Sequence, residues 1–192
     1  MSEQLEAQQT FAGLGKHLKP TYSKGMEHVG KTACPGCGVQ LEKVEGPVHE
    51  YMEGSPACFA LFTQLLACEY SDRALLPTHR LTVDTYAVQH PGRDKTRQQI
   101  QSVGLHLARL GLQLARPLPP KETNDVMLGL GRHKHTLEFI EPPKRFSATV
   151  ANPAEFVGTP RHADKVREWA VSTWNDWSDH HDYILRWTTK WL

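Results

Sequence analysis

From Val166 to the end of the chain one stripe of residues recurs at alternating spacings of four and three: Val166, Ala170, Thr173, Trp177, His180, Ile184, Trp187 and Trp191. Side chains three and four apart share a face of an α-helix. A seam that carries Trp177, Trp187 and Trp191 has to be covered by other helices. That requirement sets the expected fold class: mainly α, a helical bundle.

Three upstream segments supply partners. "SPACFALFTQLLACEY" begins with Ser55, a good N-cap, and Pro56, suited to the first helical position. Cys58, Leu61, Leu65 and Cys68 would make its buried stripe. "LTVDTYAVQHPG" reads as a shorter helix that Pro91 and Gly92 end. "TRQQIQSVGLHLARLGLQLARP" reads as a third, with Ile100, Val103, Leu107, Leu110 and Leu114 as its stripe and Pro117 as its stop. Residues 117–160, with proline pairs at 119–120 and 142–143, read as a loop-rich insert in which "HTLEFI" and "FSATV" would be short strands. Residues 1–32 are polar and weakly patterned, and read as a partly ordered arm; residues 33–192 read as a single metal-binding helical domain.

Composition limits the partners. The chain has 192 residues, 39% of them hydrophobic, enough for one core. With 22 Lys and Arg against 21 Asp and Glu, the net charge is +1 and no basic patch stands out, so nucleic acid is not an expected partner. No apolar run reaches the ~18 residues of a membrane span. The N-terminus lacks the basic start and apolar run of a secretory signal. The expectation is a cytoplasmic protein without a membrane partner, whose four cysteines are thiols or metal ligands.

Two of them sit in "KTACPGCGVQL". A Cys-x-x-Cys turn presents two sulfurs to one ion, and Pro35, Gly36 and Gly38 let the backbone bend tightly around it. Cys34 and Cys37 thus read as half of a zinc site, an N-terminal zinc knuckle. A redox pair is the rival reading, but such pairs follow a strand and open a helix, and this segment is polar, Gly-rich and without an expected strand before it. Structural zinc takes four ligands. The remaining candidates are His49, Cys58 and Cys68. Cys58 falls in a first helical turn, where the dipole favours a thiolate. Cys68 reads as an inert core residue. His49, in the intervening loop, either swings onto the ion or stays a surface histidine. The expected set is Cys34, Cys37, His49 and Cys58.

Eleven histidines exceed ordinary usage. His79, Asp84, Tyr86, Gln89 and His90 fall in one short segment; His106 borders the apolar stripe of the third helix, and His180 lies within the last seam with His181 at its edge. His133 and His135 read as exposed. On a helix Tyr86 shares a face with Gln89 and His90, whereas Asp84 and His90, six apart, point about 120° away from each other. A histidine in an apolar seam needs a partner for its ring nitrogens. Convergence of several would instead make a pocket in which a carboxylate orients imidazoles and water or a thiol is activated.

The segments "CPGCG", "HEYMEGSPACFAL", "HRLTVDTYAVQHPG", "QSVGLHLARLGL" and "WAVSTWNDWSDHH" together resemble a bacterial family of uncharacterised domains, over roughly residues 33 to 185. The family carries no assigned reaction. The resemblance implies that Cys34, Cys37, His49, Cys58, His79, Asp84, Tyr86, Gln89, His90 and His106 belong to the family pattern. Phe59 stands where members often have Trp, which touches local packing only. A weaker, architectural similarity links the expected bundle to the DinB-like metal-dependent enzymes, but the last helix lacks their histidine pair four apart.

Three functions follow. The first is a zinc-binding, small-molecule metalloenzyme, hydrolytic or group-transfer. Its pocket would use His79, His90 and His106 as ligands or general base, Asp84 as the orienting carboxylate and Tyr86 as proton donor. The second is a non-catalytic zinc-stabilised interaction module, with a homodimer surface on the Trp-rich last helix, where Trp169 and Trp174 fall off the seam. The third is a thiol-based redox or metal sensor at Cys34 and Cys37.

Overall fold

A computed structural model of the chain describes residues 30–116 and 118–192. The expected arm over residues 1–32 therefore lies almost wholly outside the described residues. Two short strands come first, β1 (Lys31–Ala33) and β2 (Gln40–Glu42), paired antiparallel with Thr32 opposite Leu41. Seven helices follow among the described residues: α1 (Pro56–Ser71), α2 (Leu76–Gln89), α3 (Arg97–Ala115), α4 (Pro120–Gly131), α5 (Ala151–Ala154), α6 (His162–Asp176) and α7 (His181–Trp191). The architecture is mainly helical, as the seams require, and no helix among the described residues is long and apolar enough to cross a membrane.

Local chemistry explains the boundaries. Ser55 caps α1, its hydroxyl accepting from the Cys58 amide at 3.3 Å, and Pro56 occupies the first turn. Thr96 and Gln99 form a reciprocal capping box at the start of α3. The chain leaves α2 at His90, directly before Pro91, which has no N–H to continue a helix.

α2 sits at the centre, packed against α1, α3 and α6. It begins at Leu76, five residues before the expected segment, and it is not amphipathic. Thr78, His79, Thr82, Asp84, Thr85 and Gln89 are all buried on it beside Tyr86, Ala87 and Val88. Buried polar groups are tolerated only when paired, and partners from neighbouring segments meet them. Gln89 donates to Thr173 Oγ1 at 2.8 Å and to the Ala148 carbonyl at 2.7 Å, and accepts from Trp169 Nε1 at 3.1 Å.

Several expectations are corrected. The buried stripe of α1 is Cys58, Phe62, Leu65 and Glu69, not the stripe through Leu61 and Cys68. A buried acid there carries no hydrophobic signal; it is held by partners on α2 and α6. The insert contains a twelve-residue helix, α4, and "HTLEFI" and "FSATV" form no strands, because no neighbouring strand is at hand to pair with them. A strand does precede the cysteine pair: β1 leads into it, and β2 leads out. The last helix is two helices, joined by a 3-10 turn at Ser178–His180. Histidines stabilise that break: His181 Nε2 bonds the Trp174 carbonyl at 2.8 Å, and His180 Nε2 bonds the Glu141 carbonyl at 2.8 Å. Trp169 and Trp174 form no exposed patch. Trp169 is buried, and Trp174 stacks on His181 and packs over Gly111, where an added Cβ would lie 2.6 Å from the ring.

Candidate metal centre

The turn between β1 and β2 holds Cys34 and Cys37. The Cys34 amide donates to the Val39 carbonyl at 2.8 Å, and the Gly38 amide donates to the Cys34 carbonyl at 2.9 Å. Gly38 has φ +78°, the left-handed conformation that glycine adopts without steric cost. Gly36 has a different role. A Cβ there would fall 2.5 Å from the Glu53 carbonyl oxygen, 2.5 Å from His90 Cδ2 and 2.9 Å from the Gln89 carbonyl oxygen. Only glycine lets this turn dock against the end of α2.

Docking brings four side chains together. Cys34, Cys37, Cys58 and His90 each offer a ligand atom within 4.8 Å of the other three, and all four residues are buried. Cys37 Sγ lies 3.7 Å from Cys58 Sγ, and Cys58 Sγ lies 3.2 Å from His90 Nε2. The sulfurs are free thiols: 3.7 Å is nonbonded contact, far from the ~2.05 Å of a disulfide. The Ser55 amide donates to Cys34 Sγ at 3.4 Å, so the residue that caps α1 also supports a thiolate of the turn.

The imidazole is oriented for ligation. His90 Nδ1 lies 2.7 Å from the Tyr86 carbonyl oxygen. A carbonyl only accepts, so Nδ1 carries the proton and Nε2 turns its lone pair to the sulfurs. A backbone carbonyl behind the outer nitrogen is the usual way a ligating histidine is fixed. The thiols perturb one another. Hydrogen bonds from Cys37 and Cys58 push the Cys34 pKa well below the ordinary thiol range, against the effect of burial. The Cys34 sulfur in turn pushes Cys37 up to about 12 and raises Cys58 strongly. Three sulfurs crowded this closely, with an imidazole beside them, form a donor set that a cation at their centre would complete.

The expected site residues divide among three places. Cys34, Cys37 and Cys58 converge, and their fourth neighbour is His90. His49 is not among the converging four. Its Nδ1 accepts from the Tyr51 amide at 3.4 Å, its ring meets Tyr51 edge-on at 4.5 Å, and burial lowers its pKa. Tyr86 borders the same centre, its ring stacked on His90 at 3.8 Å and on Phe62 at 3.9 Å.

Asp84 and His106 form a second place, between α2 and α3. The wholly buried Asp84 carboxylate accepts from Arg109 Nε at 2.7 Å and Gln113 Nε2 at 2.6 Å, with His106 Nδ1 at 2.7 Å. Burial raises the Asp84 pKa, but the Arg109 charge and the His106 and Arg109 hydrogen bonds outweigh it and hold the group below its ordinary value. The third place holds His79, paired with buried Glu69 at 3.3 Å; Glu69 also meets His162 at 3.1 Å and Thr82 at 2.5 Å. Glu69 and His162 escaped sequence reasoning, since a lone acid on an apolar stripe and a histidine in the first turn of a helix have no local signature. The five residues expected to share one pocket thus lie in three separate clusters.

The chain belongs to a family described as of unknown function (DUF5946), whose model matches residues 32–178. That span includes the four converging side chains and both polar clusters. No curated protein and no solved structure matches the chain.

Proposed function

We propose that the protein binds one zinc ion through Cys34, Cys37, Cys58 and His90, and that the ion is structural, fastening the β1–β2 turn to α1 and α2. The observation that carries this reading is the convergence of three sulfurs and one oriented imidazole in a buried cluster. A tetrahedral ion with bonds of about 2.3 Å to sulfur spaces its thiolates about 3.8 Å apart, against the 3.7 Å between Cys37 and Cys58. Softness of the donor set favours zinc over hard cations. Four protein ligands fill the coordination shell, and their burial leaves no open position for water or substrate, which is the mark of a structural rather than a catalytic site. The reading is therefore a zinc-stabilised module, working in the reducing cytoplasm, where thiols persist.

The test is metal content of natively purified protein by mass spectrometry, beside Cys34→Ser. One zinc per chain, lost in the variant, is expected. A metal-free wild type would overturn the reading.

A second reading, hydrolytic or group-transfer catalysis on a small molecule, is favoured by one observation. The His106 side chain is 19% exposed while its Nδ1 is held by Asp84, a carboxylate–imidazole pair of the kind that serves a general base. A substrate screen repeated on His106→Gln tests it. Any turnover found should vanish while zinc stays bound; turnover that survives would remove His106 from the chemistry.

A further inference from the structure

The Cys37 and Cys58 sulfurs touch at 3.7 Å across 21 residues of chain. They belong to different elements: Cys37 lies in the β1–β2 turn and Cys58 in the first turn of α1. A shift of about 1.7 Å would bring the two sulfurs to disulfide length. The Cys34 sulfur is held differently. It accepts from the Ser55 amide at 3.4 Å, a hydrogen bond that occupies a lone pair and anchors the sulfur in place. The fourth cysteine, Cys68, sits ten residues beyond Cys58 on α1, about 15 Å of helix rise away. A single turn of chain covers the cluster, and its Pro35 and Gly38 are exposed. Cys37 is 4% exposed, against 2% for Cys34 and 0% for Cys58. Two strands of three residues hold that turn, and a short exposed segment of this kind opens locally at low cost.

We propose that the centre is a redox switch, in which a peroxide converts Cys37 and Cys58 into a disulfide and expels the zinc ion. This rests on the zinc reading above. The Cys37 sulfur attacks one peroxide oxygen, the O–O bond breaks, and the sulfur becomes a sulfenic acid while the other oxygen leaves as water. The Cys58 sulfur then attacks the Cys37 sulfur, the S–O bond breaks, and the second oxygen leaves as water. Two thiols lose two electrons and two protons; one peroxide becomes two waters. Cys34 and His90 remain, two ligands where structural zinc needs four. The pairing also decides what the switch does to the fold. A bond within the Cys34–Cys37 turn would free the hairpin from the helices. A Cys37–Cys58 bond keeps the hairpin tied to α1 and releases it from His90 at the end of α2.

The test treats the natively purified chain with hydrogen peroxide. Released zinc is read with a colorimetric chelator, and the disulfide is mapped by mass spectrometry of unreduced peptides. One zinc released per chain is expected, with a single Cys37–Cys58 disulfide and Cys34 and Cys68 still reduced. Dithiothreitol should restore the thiols and the capacity to bind one zinc. A Cys34–Cys37 disulfide, a bond to Cys68, or oxidation of the sulfurs to sulfinic acids without a disulfide would overturn the proposal. So would a chain that keeps its zinc and its thiols under peroxide, which would leave the zinc site itself standing. A chain purified without metal would overturn the zinc reading and the switch with it, whatever disulfide it forms.

Discussion

At Asp84 two opposing effects meet. Burial alone would favour the neutral acid; the Arg109 guanidinium, with nitrogens at 2.5 and 2.7 Å, keeps it ionised below the ordinary carboxylate range. A carboxyl group whose folded pKa is depressed adds stability above its unfolded value of about 3.9 and loses it as pH falls through the lower, folded one. Asp84→Asn should therefore cost about 3–5 kcal/mol in urea unfolding at pH 7, because Arg109 stays buried without its counter-charge. The gap to wild type should narrow steadily below about pH 4. A deficit under about 1 kcal/mol at neutral pH would mean that water reaches Arg109 and compensates it. At this scale sequence reading found the chemistry of Cys34, Cys37 and Cys58 but not the imidazole that joins them. His90 lies 32 residues from Cys58, and no local pattern reports that a helix end will meet a distant turn. His49 stood nearer in the chain and met Tyr51 and Phe59 instead.

The β1–β2 turn is the element on which the centre depends, and two of its glycines separate strain from contact. At Gly38, φ +78° disfavours any side chain, but nothing lies within 4 Å of the place a Cβ would take. Gly38→Ala should lose about 1–2 kcal/mol of stability and keep its metal. At Gly36 a methyl group would strike the carbonyls of Glu53 and Gln89, which are backbone and cannot swing aside. Overpacking of this kind costs about 1–3 kcal/mol. The clash exists only when the turn is docked, so Gly36→Ala should weaken zinc binding by about 5- to 150-fold. Chelator competition on the two variants checks the contrast, and equal affinities would contradict the docking role of Gly36. Elements with apolar stripes, such as α3, were legible from their spacing. α2 was only half legible, because its burial is polar and partners such as Glu69, Thr173 and the Ala148 carbonyl come from distant parts of the chain. The break after α6 was hidden for a similar reason: the Trp177–His180 pattern continues a helical seam, while the hydrogen bonds that stop it come from side chains folding back on Trp174 and across to Glu141.

Across the whole molecule the helices contact one another directly, and the metal centre sits where the hairpin joins them. Removal of zinc should loosen the hairpin while the helical signal in circular dichroism stays near its holo value. With free zinc at 1,000 times Kd, binding adds about 4 kcal/mol. For a chain of this size that lowers Tm on chelation by about 8–16 °C. An unchanged Tm would mean that the ion contributes nothing to the fold. The helical class was legible because covering apolar seams leaves few alternatives, but the seam of the last segment did not reveal that Trp169 and Trp174 pack inward against Gln89 and Gly111. The most direct test of the central claim is X-ray absorption at the zinc edge on the natively purified chain. Three sulfurs at about 2.3 Å and one nitrogen at about 2.0–2.1 Å are predicted. A shell with two sulfurs, or one containing water oxygen, would contradict a closed site built from Cys34, Cys37, Cys58 and His90.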